Sequence, residues 1–194
     1  MKEGTILSKT NLVDALPYIE KFATTLSLDM ALPLGTNRVT RFPGYRPARG
    51  YGRDGFSVEI DGRFQFSFDV ENLLVDYFVD KKFAMTVLWR AEQIKPLIRP
   101  SKITKEQALS MAREYLKKLG YIENELPLLS PKVNQWKWEP PGSGKAEMLP
   151  FFTVEWSWSK YTDWEYFKLE IDGLREKVTS FSTIYPRQDP PKSD

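Results

Sequence analysis

Between residues 38 and 53, Arg38, Arg41, Arg46, Arg49 and Arg53 are interleaved with Phe42, Tyr45 and Tyr51. Guanidinium groups grip phosphate or carboxylate oxygens in pairs, and aromatic rings stack on flat ligands, so this set fits a phosphate backbone with unstacked bases. It fits an acidic protein or polymer surface as well. A solvated hairpin loop whose arginines pair with nearby carboxylates needs no ligand, and without a wider basic field that plainer reading is preferred and nucleic acid is not the expected partner. A second set, Tyr161, Trp164 and Tyr166, falls on the polar side of a strand-like stretch; it can stack on sugar rings, anchor a protein partner, or be buried where two parts of the chain pack.

Other chemistry is thinner. GSGKA (142–146) has the look of a phosphate loop but lacks the upstream glycine and the Ser/Thr after Lys145, and it joins two strands. Glu59, Asp61, Glu170 and Asp172 are a conceivable carboxylate pair or oxygen-ligand cation site. Asp61-Gly62 and Asp172-Gly173 are ordinary turn dipeptides, and alternation assigns Glu59 and Glu170 to a solvent face. The chain has no cysteine and no histidine. That removes thiolate nucleophiles, disulfides, the Ser-His-Asp system and the commonest transition-metal ligands, so neither a cofactor nor a metal is expected.

Composition bounds the rest. The 194 residues carry 28 basic and 26 acidic side chains and are 41% hydrophobic, enough for a packed core without a strong global field. No apolar run reaches the roughly 20 residues that span a bilayer, and MKEGTILSKT lacks the apolar centre of a signal peptide. Either a cytosolic protein or a mature form without its leader is implied.

The elements that must position these residues repeat. SKTNLVDALPYIEKF (8–22) recurs loosely as SKITKEQALSMAREY (101–115). In the first copy Leu12, Ala15, Leu16, Ile19, Phe22, Ala23 and Leu26 form a helical stripe, and Pro17 places the helix start near Asp14. In the second, Thr104 and Gln107 form a capping box before Ala108, Leu109, Ala112, Tyr115, Leu116 and Leu119, and Gly120 stops the helix. Each helix is followed by four strand-like stretches: 38–42, 56–60, 63–70 and 73–79, then 135–139, 151–158, 164–171 and 177–184. Trp136 with Trp138, and Phe152, Val154, Trp156 and Trp158, alternate as core faces. FSVEI is matched with FTVEW and FSFDV with FKLEI, in preference to the competing match of FSVEIDG with FKLEIDG, since this leaves no strand over. The expected fold is α+β: two tandem repeats, each one helix on a roughly four-stranded antiparallel sheet. Residues 1–83 form repeat 1, 84–100 a connector interrupted by Pro96 and Pro100, 101–186 repeat 2, and 187–194 a disordered tail.

The second half, ITKEQALSMAREYLKKLGY followed by FFTVEW and YFKLEIDGLREKV, resembles the PepSY domain. Thr104, Glu106, Ala108 and Ala112 fit that family's helix, and Ile171, Asp172, Lys177 and Val178 fit its closing strand and turn; Glu176 departs from the glycine usual there. The resemblance covers residues 101–186, reaches the first half only through its likeness to the second, and implies a cystatin-like helix-on-sheet fold. It also implies an extracytoplasmic setting and a role in binding or restraining another protein, such as a peptidase or an envelope protein, without catalysis. The interaction candidates are Arg41, Arg46, Arg49, Arg53, Tyr45, Tyr51, Tyr161, Trp164 and Tyr166. A carbohydrate-binding module using the exposed aromatics is the first alternative, with a polysaccharide as partner. A small-molecule enzyme on the same fold is the second, and it requires a deep pocket with convergent polar groups.

Overall fold

The computed structural model describes residues 12–42, 55–69, 75–84, 91–119, 131–157 and 166–184. Helix α1 (Leu12–Thr25) begins upstream of the start that Pro17 suggests, so the proline lies in the second turn. There it withholds an amide from the ladder, at a cost of about 3 kcal/mol. Leu16, Ile19, Phe22 and Ala23 are buried on the opposite side, and three of them are large apolar side chains worth about 1.5 to 3 kcal/mol each, which outweighs the loss. Four strands follow: β1 (Val39–Phe42), β2 (Gly55–Ile60), β3 (Phe64–Asp69) and β4 (Val75–Asp80). In the expected connector lie one helical turn, α2 (Ala91–Ile94), and a 3-10 turn over Lys95–Leu97 that contains Pro96. Helix α3 (Lys105–Lys118) then precedes β5 (Lys132–Trp138), β6 (Glu147–Ser157), β7 (Tyr166–Asp172) and β8 (Lys177–Ile184). Its capping box is formed as the sequence requires: the Gln107 amide donates to Thr104 Oγ1 at 3.3 Å, and the Thr104 amide to Gln107 Oε1 at 2.8 Å.

The protein is α+β, built on one eight-stranded antiparallel sheet in the order β1-β2-β3-β4-β8-β7-β6-β5. The order mirrors itself about a seam where the fourth strand after one helix meets the fourth after the other. That seam is registered by Tyr77↔Ser182, Phe78↔Phe181 and Val79↔Ser180. Edge pairing, not face packing, therefore joins the two halves, and both helices contribute to one apolar core on one face of the sheet. A single register row, Val58, Phe66, Phe78, Phe181, Leu169 and Val154, crosses six strands through that core. All six side chains are fully buried.

The opposite face is polar near the seam, where Ser57, Ser67, Tyr77, Ser182, Lys168 and Glu155 stand in one register row. Ser57 and Ser67 are buried and share a hydroxyl hydrogen bond of 2.7 Å. Toward β5 that face turns apolar. Ile94, Leu97 and Ile98 pack there on Leu149, Phe151, Trp136 and Trp138, so residues 94–98 lie on the far side of the sheet from α3. Trp136 donates its indole N–H to Thr153 Oγ1 at 2.8 Å. The expected tryptophan core is thus divided: Trp156 lies in the helix-side core, whereas Trp136 and Trp138 are half-buried on the other face. Val133 and Gln135 stand in register with Val154 and Phe152 on the helix side, so alternation along β5 puts Trp136 and Trp138 together on the other face.

Candidate functional site

At the end of the seam where β4 stops and β8 starts, the two helices and the sheet enclose a groove of about 310 Å³. Its first wall comes from the end of α1. Ser27 takes a left-handed conformation (φ 51°), its amide donates to the Thr24 carbonyl at 3.1 Å and the Leu28 amide to the Ala23 carbonyl at 2.9 Å. This paired closure is a Schellman motif; it reverses the chain and delivers Leu28 and Asp29 to the groove.

The second wall is Arg63. Asp61 and Gly62, both at positive φ, turn β2 into β3 and set Arg63 at the foot of β3. Its Nε donates to Asp80 Oδ1 at 3.0 Å and its Nη2 to Asp80 Oδ2 at 2.9 Å. Its Nη1 donates to Asp29, at 3.2 Å to Oδ2 and 3.4 Å to the carbonyl. The guanidinium carbon lies 4.4 Å from the Phe64 ring centroid and 5.3 Å from that of Phe83. The Asp80 hydrogen bonds, partly opposed by burial, raise the Arg63 pKa further, so the charge is fixed. Phe83 extends the wall across the seam, because Arg175 of the β7–β8 turn lies 4.2 Å from its centroid. Arg175 in turn bonds the carboxylate of Asp172, a residue with no exposed surface that also accepts the Leu174 amide at 2.8 Å and the Arg175 amide at 3.2 Å. In the same turn Glu176 has φ 55°, the left-handed conformation that glycine adopts without strain, so the missing glycine has not changed the handedness of the backbone there.

Helix α3 forms the third wall through Met111, Glu114, Tyr115 and Lys118, whose spacing puts them on one face. Glu114 and Lys118 pair at 2.9 Å, an exposed contact of small energetic weight. Tyr115 is 8% exposed, its ring lies 6.4 Å from that of Phe181, and its hydroxyl has no hydrogen-bond partner among the described residues. Burial pushes its pKa well above the ordinary tyrosine value. An unfolded tyrosine releases its proton near pH 10 while the folded one keeps it, so the unfolded state binds fewer protons and stability falls as pH rises beyond that point. Unfolding free energies from urea titrations between pH 9 and 11 are expected to drop more steeply for the wild type than for Tyr115→Phe, by up to about 1.4 kcal/mol per pH unit. Parallel slopes would contradict this.

None of the interaction candidates from the sequence is among the described residues that line this groove. Residues Tyr45, Arg46, Arg49, Tyr51, Arg53, Tyr161 and Trp164 lie outside the described residues. Arg41 pairs in register with Val58, and Tyr166 with Ser157 and Ile184, but the side chains of Arg41 and Tyr166 also lie outside them. Arg38, first of the arginine series, is engaged locally: it forms a two-pronged contact with Asp61 at 2.9 and 2.5 Å and donates to the Ala31 carbonyl at 2.7 Å. Glu59 is partly buried and pairs with Lys81. Glu170 is only 2% exposed, which corrects its assignment to a solvent face. GSGKA lies between β5 and β6, with Gly142 and Gly144 at positive φ. No sequence motif singles out Arg63, Asp80 or Phe83. The signal available was the β4 end, Asp80-Lys81-Lys82-Phe83, where a carboxylate at the edge of an apolar strand stands opposite an arginine that opens its neighbour.

Among the described residues, no group of three or more acidic side chains is placed to hold a metal ion, and no helix is long and apolar enough to cross a membrane. The chain matches no protein-family model and no curated protein. Among solved structures it is similar to the Bacillus megaterium YpeB C-terminal domain, with a TM-score of 0.48 and 11% sequence identity over 91% of this chain and 67% of that one.

Proposed function

We propose that this chain is a non-enzymatic binding or regulatory module of PepSY-like type that acts outside the cytoplasm and receives a segment of a protein partner in the seam groove. The observation that carries this reading is the groove itself. It lies where two halves of a sheet meet, its floor is apolar through Leu26, Phe64, Met111 and Val178, and one wall is a guanidinium held in place by two carboxylates and two rings. Binding clefts combine an apolar floor with a few fixed polar groups in this way. The PepSY-like motifs of residues 101–186 support the choice of a protein partner. The arginines and tyrosines of residues 41–53, with Tyr161, Trp164 and Tyr166, are proposed as further contact residues of the same module.

Selection from a displayed peptide library tests this reading, using the wild type and Met111→Trp, which fills the groove from α3, as paired baits. Enriched peptides are expected to share an apolar anchor and to lose at least about tenfold in affinity for Met111→Trp, the equivalent of about 1.4 kcal/mol. Peptides that bind both baits equally but fail on an Arg46/Arg49/Trp164 triple alanine variant would place binding elsewhere. Failure to enrich any peptide, combined with retention on immobilised polysaccharide, would favour the carbohydrate alternative.

A further inference from the structure

We propose that the groove recognises the free C-terminal carboxylate of a peptide ending in an apolar residue, and that Asp29 occupies the carboxylate's place until such a peptide arrives. This rests on the seam-groove reading above. Arg63 serves two carboxylates of different character. Asp80, with a side chain 10% exposed, is gripped by Nε and Nη2 at 3.0 and 2.9 Å and fixes the plane of the guanidinium. Asp29, with a side chain 77% exposed, touches only Nη1, and at 3.2 Å. The first contact is a positioning pair and the second is easily displaced, since an exposed ion pair contributes little in water. A guanidinium held rigidly by one carboxylate while presenting another edge to a cleft is preorganised for a second carboxylate.

The chemistry beside that edge narrows the occupant. Leu26, Met111 and Val178 line the same groove. A terminal residue carries its carboxylate and its side chain on one α-carbon, so it can fill both parts of the site together. Lys118 and Lys177 also line the groove, but Glu114, paired with Lys118 at 2.9 Å, and Glu176 line it too, so the anion is selected by the Arg63 guanidinium and not by a wider positive field.

The test is a ¹H–¹⁵N NMR titration of the whole chain with N-acetyl-Gly-Ser-Gly-Ser-Leu bearing a free carboxylate, beside the same peptide amidated. The free acid is expected to bind at least about tenfold more tightly, the scale of a charge-assisted hydrogen bond. Asp29→Ala is expected to tighten the acid about two- to fivefold, by removing the competitor, and to leave the amide unchanged. Glu176→Gln, which removes an equal charge from the rim without touching the partners of Arg63, is expected to give less than about twofold. Equal binding of acid and amide at the groove would overturn the carboxylate assignment while leaving the groove as a binding site. An amidated peptide with an internal glutamate binding as tightly as the free acid would overturn the C-terminal assignment, and equal gains from Asp29→Ala and Glu176→Gln would overturn the stand-in role. No shift from either peptide around residues 26–29 and 63–64 would overturn this proposal, and failure of the library peptides at the same place would remove the groove reading too.

Discussion

Arg63→Met is expected to lower the unfolding free energy by about 3 kcal/mol, because it leaves the carboxylate of Asp80 desolvated without its countercharge. The side chains of Arg63 and Asp80 are 21% and 10% exposed, so water can relieve only part of the penalty. Losing the guanidinium also removes the cation stacked on Phe64 and Phe83 and loosens the wall that leads to Arg175 across the seam. The double variant Arg63→Met/Asp80→Leu is expected to recover most of the loss, since an apolar pair of similar volume avoids the desolvation penalty altogether. Urea unfolding followed by tryptophan fluorescence, arranged as a double-mutant cycle, measures the coupling. A single-variant loss below about 1 kcal/mol, or a double variant no better than the single, would show that the pair is solvated and adds little.

Phe78→Ala is expected to have the largest effect, about 3 to 5 kcal/mol. Phe78 is fully buried at the centre of the seam, with Phe66 at 5.2 Å, Phe22 at 5.7 Å and, opposite it in register, Phe181. The cavity it leaves would border both halves at once, and strand backbone hydrogen-bonded on both sides can collapse into it only slightly. Because one core serves both helices, denaturant should still unfold the variant in a single transition with a lowered midpoint. Two transitions, with the half built on α3 unchanged, would show that the halves fold separately.

Much of this architecture can be read from local sequence. The stripe and capping box of α3 depend only on residues within a few positions of one another, and Thr104 and Gln107 bond as their spacing demands. The alternation of Phe152, Val154 and Trp156 marks the core face of β6, and KVTSFSTI is β8 from end to end. FSVEI and FFTVEW are each found within the second strand after a helix. Features that depend on distant parts of the chain are harder to read. Nothing local states that β4 and β8 pair, and only that pairing brings Phe83 to Arg175. Trp136 and Trp138 share an apolar-packed face as their alternation requires, whereas Glu170 departs from expectation because alternation gives the face but not whether that face is wet. The groove was hidden for the same reason. Its walls come from five stretches between Leu26 and Thr179, and its central arginine reads in sequence as an ordinary residue after an Asp-Gly turn. The arginine series attracted attention by density, yet Arg38, whose side chain is described, binds Asp61 and the Ala31 carbonyl as a loop-holding residue.

The proposed binding of a protein partner at the seam is tested by mapping an enriched library peptide on the uniformly labelled chain by NMR. The expected result is a contiguous set of shifted amides at residues 26–29, 63–64, 111, 114, 115, 118 and 176–179, with β5 and the face of α3 turned away from the groove unchanged. Shifts confined to the outer strands or to residues 43–54, with the seam amides unmoved, would contradict it.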